Sequence, residues 1–232
     1  MDKVRIRERI WKLLEEENVA RFPRPVYGRI PNFVGADEAS RILITLNEFK
    51  NSKIVKINPD APQRMARYYA LAYNKMLIMP TPRLRSGFII IRVNNPKEAL
   101  RASTIKGALE YGKIFRFNNK IDAIVIGSVA VTRYGARLGK GEGYAEIEYA
   151  ILKELRLVSD DVKVITTVHD LQIVDEIPVE EYDLPVDIIV TPKEIIYTRT
   201  NIQRPKGIIW DRLSEEKISS IPLLSKLRSG AL

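Results

Sequence analysis

Apolar positions in this chain repeat with two periods, and the switches between them mark out the elements. Residues 3–18 place Ile6, Ile10, Leu13 and Leu14 at helical spacing with Trp11 beside them, which predicts an amphipathic helix. Residues 22–33 carry Pro23, Pro25, Pro31 and Gly28, which rule out a regular pattern and predict a loop. A helix is expected over 35–49, with Ala39, Ile42, Leu43 and Leu46 inward. Short apolar runs predict strands at 53–57, 76–79, 88–93, 121–127, 162–168, 172–174, 188–190 and 195–198. Helical patterns fall between several of them. One runs over 58–73, with Pro59 and Pro62 near its first turn, and short helical turns are expected at 96–100 and 105–109. Another runs over 144–157, with Ile147, Ala150, Ile151 and Leu155 on one stripe. Strand and helix alternate, which predicts an α/β fold: a mostly parallel sheet flanked by helices on both faces. Residues 1–200 read as a single α/β domain with an N-terminal helix. Residues 201–232 read as a basic C-terminal tail, loosely packed or partly disordered.

Composition narrows the chemistry. No run approaches the length of a membrane span, and the N-terminus lacks the apolar core of a signal peptide, so a cytoplasmic location is expected. The absence of cysteine excludes disulfides, thiolate metal sites and a thiol nucleophile. With a single histidine, His169, a multi-histidine metal site is excluded as well. The net charge of +9 favours polyanionic partners, nucleotides or nucleic acid, although a solvated basic surface has the same signature.

The most informative stretch is Arg137-Leu-Gly-Lys-Gly-Glu-Gly-Tyr144, between a predicted strand and a predicted helix. Glycines free in φ let successive backbone N–H groups converge on one point. The start of the following helix adds partial positive charge there. Arg137 and Lys140 add full charges. A plain glycine turn is the alternative; the strand-to-helix context favours a phosphate. Lys3 and Arg7 are four apart and share a helix face, so they suit one anion or a solvated basic surface equally. Arg21, Arg24 and Arg29 lie in the proline-stiffened loop.

Acidic residues crowd the same place. Glu142, Glu146 and Glu148 repel a phosphate unless a cation lies between, which predicts Mg²⁺ near Glu146. Asp183 and Asp187 bracket a proline before the strand at 188–190. Asp187 is expected to order the turn, while Asp183 is free to reach a metal or to form the turn itself. His169 ends a strand and suits a general base, a substrate hydrogen-bond donor or a local hydrogen-bond partner.

These motifs together resemble the 5-formyltetrahydrofolate cyclo-ligase family. Its hallmark loop reads Arg-Leu-Gly-[Arg/Lys]-Gly-x-Gly-Tyr-Tyr-Asp, and residues 137–146 follow it in order and spacing. Gln172, Ile177-Pro-Val and Asp183-Leu-Pro-Val-Asp187 resemble its second block. The resemblance covers residues 53–198, with Lys3 and Arg7 matching an N-terminal Lys-x-x-x-Arg. Residues 22–33 and 80–84 look closer still to the methenyltetrahydrofolate synthetase domain-containing subgroup.

The resemblance implies a phosphosugar-isomerase/CoA-transferase-like sheet, ATP, Mg²⁺ and a reduced folate or modified pterin. It implies that a formyl oxygen attacks the γ-phosphate, that a folate nitrogen closes the ring, and that phosphate leaves. Lys3, Arg7 and Arg137, Leu138, Gly139, Lys140, Gly141, Glu142, Gly143 and Tyr144 then match the ATP-binding positions. Lys140 and Arg137 match the catalytic charges, and Glu146 and Asp183 the metal carboxylates. The chain departs from the pattern at Ala145, which replaces the second tyrosine, and at Glu146, which replaces aspartate. Asp60 and Arg64 stand where the family carries substrate-binding glutamates, and His169 where an aromatic is common. Asp60, Arg64 and His169 are therefore the substrate-binding candidates. The competing expectations are an inactive nucleotide- or RNA-binding protein of the same fold, and a phosphosugar isomerase working without ATP.

Overall fold

A computed structural model describes residues 2–231. Helix α1 (Lys3–Glu16) opens it, capped by the Asp2 side chain on Arg5 N–H. The ribbon β1 (Ala20–Arg21) and β2 (Asn32–Phe33) pairs antiparallel and closes the base of the proline-rich loop. The helix expected over 35–49 is two helices, α2 (Ala36–Leu43) and α3 (Asn47–Lys50). Then come β3 (Ile54–Ile57), α4 (Arg64–Ala72), β4 (Met76–Pro80) and β5 (Phe88–Ile91). A short 3₁₀ turn (Ala61–Gln63) leads into α4, because Pro62 suits its first positions. Helices α5 (Pro96–Ala102) and α6 (Ile105–Tyr111) and strand β6 (Lys113–Ile114) lead to β7 (Ala123–Ile126). A second ribbon follows, β8 (Ala130–Val131) with β9 (Arg137–Leu138), before α7 (Tyr144–Glu154). Strands β10 (Lys163–Thr167), β11 (Ile188–Val190) and β12 (Ile195–Tyr197) and helices α8 (Glu215–Ser220) and α9 (Pro222–Ser229) complete the chain.

The eight-stranded sheet has the order β12-β11-β10-β7-β3-β4-β5-β6. Its centre is parallel, β5 and β12 run against it, and β6 pairs antiparallel with β5 at the edge. The mostly parallel α/β sheet expected from the alternation is therefore present. Successive residues of each strand feed opposite faces. Val55, Ile57, Leu77 and Val125 pack with Ala39, Leu43, Ala66 and Ala70 of α2 and α4. Ile54, Ile78, Ile124 and Ile126 pack with Ile147, Ile151 and Leu152 of α7. A third cluster seats Ile6, Ile10 and Leu14 of α1 against Ala130 and Leu138 of the second ribbon. Both faces of the sheet are covered, which is why its strands read as unbroken apolar runs.

Three further expectations change. The strand expected at 172–174 is instead a 3₁₀ turn (Asp170–Gln172), fixed by reciprocal bonds between His169 and Gln172, with only an isolated bridge from Ile173 to Val131. The C-terminal segment is ordered rather than loose, since Ile218, Ile221, Leu223 and Leu224 are buried in the core cluster that holds α7. Pro222 begins α9. Finally, α7 has no single stripe: every residue from 147 to 152 is buried. Arg204 of the C-terminal segment reaches the Asp187 carboxylate at 2.5 Å and the Val162 carbonyl at 2.7 Å, so this segment straps the same layer.

Candidate active site

The strand order changes direction between β3 and β7: the chain runs outward from β3 to β4, then returns to place β7 on the other side. At such a point the loops leaving adjacent parallel strands diverge and open a crevice beyond their carboxyl ends. Asn58 leaves β3 and Gly127 leaves β7, and both line one cavity of about 1010 Å³. Residues 137–146, Lys3, Arg7, Asp60, Arg64 and Asp183 line it too.

The glycine loop forms one wall. Gly141 and Gly143 have φ of +107° and +72°, backbone that only glycine adopts without strain. Gly143 is the N-cap of α7, and no side chain caps that end. The first N–H groups of an 11-residue helix therefore face the loop unsatisfied by any side chain, an arrangement suited to phosphate oxygens. Helix α1 is pinned to this wall by Arg7, whose Nε donates to the Gly139 carbonyl at 2.7 Å. Lys3 Nζ donates to Asp183 Oδ2 at 2.6 Å. Burial lowers the Arg7 pKa, while Glu146 and Asp183 pull it back up, so both carboxylates lie within electrostatic reach of one guanidinium.

Arg137 differs from expectation. It is only 3% exposed, and its guanidinium donates to the carbonyls of Gly127 at 2.6 Å and Leu184 at 3.3 Å and to the Glu146 carboxylate. It is a strut joining the loop to the end of β7 rather than a free fork over a phosphate. Lys140 is half-exposed, with Nζ 2.7 Å from Glu142 Oε2. The acidic crowding that suggested a metal is met by protein cations: Glu142 by Lys140, Glu146 by Arg137 and Glu148 by Lys56. Among the described residues no group of three or more metal-binding side chains comes together. Glu146 and Asp183 nevertheless each engage through one oxygen, leaving the other without a protein partner among the described residues. Such a donor set suits an ion shared with phosphate oxygens rather than one caged by protein.

Another part of the lining is built from buried charge. Arg67 is held by carbonyls, Nε on Ser103 at 2.9 Å and one terminal nitrogen on Asn58 at 2.6 Å and Asp60 at 2.9 Å. Burial lowers its pKa to about 10. It fixes the path of residues 58–60 across the end of the sheet. The Asp60 carboxyl is pushed up by burial, against the pull of Lys140, Arg67, Lys56 and Arg137. It lies so close to Gly127 that a Cβ there would stand 2.7 Å from its Oδ2. Arg64 is exposed at the rim. Arg83 also lines the cavity, and Arg83 and Leu84 both adopt φ of +54°, a backbone costing about 1–2 kcal/mol per residue.

His169 is not among the lining residues. Its Nδ1 accepts from Leu171 N–H at 3.2 Å, and its ring meets Phe33 edge-on. Burial lowers its pKa. It serves as a cap, the local hydrogen-bonding alternative among the expectations for this residue. The Asp187 carboxylate, expected to order its own turn, instead ties the start of β11 to β10, accepting from Val164 N–H at 2.7 Å.

Sequence reasoning missed Lys56, Arg67 and Lys217 altogether. A lone lysine in an apolar strand is a signal for the first of these. Nothing local marks Lys217, whose Nζ lies 4.0 Å from the centroid of the Tyr144 ring.

Comparison with known proteins matches this architecture. The sequence pattern of the 5-formyltetrahydrofolate cyclo-ligase family fits residues 1–192. The chain is 43% identical over 237 residues to a methenyltetrahydrofolate synthase domain-containing protein of Bos taurus, covering 98% of this chain and 62% of that protein. The Homo sapiens protein of that name is 41% identical over 99% of this chain and 62% of its own length. The chain thus spans about 62% of these curated relatives. The NMR structure of Aquifex aeolicus 5,10-methenyltetrahydrofolate synthetase shares the fold, with a TM-score of 0.54 at 20% identity over 88% of this chain and 96% of that one. With a family pattern spanning most of its length and the hallmark loop at the mouth of its cavity, the chain belongs to the 5-formyltetrahydrofolate cyclo-ligase family.

Proposed function

We propose that this chain is an ATP- and Mg²⁺-dependent cyclo-ligase. It converts 5-formyltetrahydrofolate, or a related formylated pterin, to 5,10-methenyltetrahydrofolate with release of ADP and phosphate. The observation that carries the reading is the uncapped start of α7 behind left-handed glycines, opening on the same cavity as the buried acidic wall. One end of the cavity suits an anion and the other suits N–H donors, as a reaction joining a nucleotide and a pterin requires. The volume is at the upper end of the usual range for a small-molecule site, which suits two bound partners.

The residues fit ATP. Backbone N–H groups of the loop and of the first turn of α7 hold phosphate oxygens without moving. Lys140 is half-exposed on a flexible stem, so it can leave Glu142 for the transferring phosphoryl group. Arg137 sets the loop's position and neutralises Glu146. Lys3 and Arg7 bring α1 over the phosphates. The free oxygens of Glu146 and Asp183 would hold Mg²⁺ together with phosphate oxygens, and the ion would supply charge neutralisation between them. Asp60 and Arg64 face the pterin side. Such chemistry needs positioning and charge stabilisation more than a protein nucleophile. The comparisons bring no support for RNA as a partner.

The test is an absorbance assay for the methenyl product with ATP, Mg²⁺ and 5-formyltetrahydrofolate. Turnover that disappears without ATP or with a chelator is expected. No turnover with this or other formylated reduced pterins would overturn the reading.

A further inference from the structure

The floor of the cavity carries a charge cluster that the phosphate chemistry does not use. Lys56 points from β3 toward α7, and its Nζ donates to Glu148 Oε2 at 2.5 Å and to Asn58 Oδ1 at 2.6 Å. Asn58 Nδ2 closes the triangle on Glu148 Oε2 at 3.2 Å. Lys56 and Glu148 are 1% and 4% exposed.

Packing does not call for these charges. The buried cluster on the α7 side of the sheet is otherwise apolar, with Ile54, Ile124, Ile126, Ile147 and Ile151 in it. An apolar pair of similar volume in place of a buried ion pair is often neutral or more stable. The pair is therefore held for what it faces. Glu148 lines the cavity, and both protein bonds fall on Oε2. Oε1 accepts from none of the described residues, yet it is not a buried unpartnered oxygen, so it stays open to the cavity.

The carboxylate is also fixed before any ligand arrives. Asn58 is held at its backbone, N–H to the Val125 carbonyl at 3.1 Å and carbonyl to Arg67. An acceptor held this rigidly loses little entropy on binding. Asp60, two residues beyond Asn58, faces the same space with no side-chain hydrogen bond among the described residues. Two carboxylates repel phosphate and attract N–H donors, so this end of the cavity suits a heterocycle edge with a ring N–H beside an exocyclic amino group.

We infer that Glu148, held by Lys56 and Asn58, is a specificity-determining acceptor that binds the aminopyrimidinone edge of the reduced pterin. The inference rests on the folate reading proposed above, not on turnover. It divides the cavity into a phosphate end at the glycine loop and a ring end at the floor.

The test uses the double variant Lys56→Met/Glu148→Leu, which removes both charges together and leaves neither unpaired. Equilibrium binding of 5-formyltetrahydrofolate and of ATP is measured separately by calorimetry. The expected result is folate binding weaker by about 10- to 100-fold, the loss of one charge-assisted hydrogen bond, with ATP binding within twofold of wild type. A 2-desamino analogue of the folate should lose a similar factor on the wild-type protein and little further on the double variant. A purely structural pair would not couple to that amino group. Should the double variant fail to fold, Glu148→Gln carries the same two measurements. Unchanged folate binding, or equal weakening of folate and ATP, overturns the inference. Wild-type protein that binds folate without forming product overturns the ligase reading and leaves this test standing. Wild-type protein that does not bind folate overturns both.

Discussion

The two ends of the cavity hold charge in opposite ways. At the glycine loop, Lys140 pairs with Glu142 two residues away, and both are half-exposed. At the floor, Lys56 pairs with Glu148 across 92 positions of sequence, and both are buried. The first arrangement is half-exposed and screened by water, so little free energy holds the lysine to its partner. The second is rigid and desolvated, so its geometry is settled by the fold in advance. On the proposed reading, a group that follows a reacting phosphate and a group that reads a ring edge would make different demands, and these two pairs would meet them separately.

This contrast is sharpest in stability. Lys56→Met alone leaves the Glu148 carboxylate buried without its cation, and should destabilise the protein by about 3–5 kcal/mol in urea unfolding. Lys56→Met/Glu148→Leu should recover most of that loss. If the single variant is as stable as wild type, the floor is not the preset element described here. Lys140→Ala should do the reverse. Turnover is expected to fall about 10²–10³-fold, as for loss of a charge-stabilising donor, with stability within about 0.5 kcal/mol. A stable variant with undiminished turnover would remove Lys140 from the chemistry.

Gly143→Ala tests whether the loop's backbone carries the phosphate end. Nothing lies within 4 Å of an added Cβ, so the cost should be the left-handed backbone alone, about 1–2 kcal/mol. ATP binding should weaken while folate binding holds, and equal effects on both would blur the division. The smallest effect concerns Asp60, whose pKa is raised by burial. A raised carboxyl pKa means the folded state favours the protonated form, so stability is lost as pH rises from the ordinary value of 3.8 through the folded value. Asp60→Asn should therefore gain stability relative to wild type as pH rises across that window. A pH-independent difference would contradict the burial of the charge.

The loop was legible because its signals are local. Glycine φ freedom, a strand before and a helix after are properties of about twenty consecutive residues. The second ribbon was not, since Ala130–Val131 and Arg137–Leu138 are too short to show a period. The run at 172–174 was misread because a reciprocal cap between His169 and Gln172 outweighs β propensity. The C-terminal helices were missed because α8 spans six residues and its single buried residue, Ile218, sets no periodicity.

The α/β alternation, the apolar strands and the glycine loop are all encoded locally, because each follows from side-chain period or backbone freedom over a few neighbouring residues. The rest came from how distant segments pack together. Packing turned Arg137 from a free charge into a strut, paired Glu148 with a lysine, kept His169 out of the cavity and folded the C-terminal segment onto α7. The reason is that burial and pairing depend on strand order. That order brings Lys56 to Glu148 and Asn58 to Gly127 at a switch point no local pattern encodes.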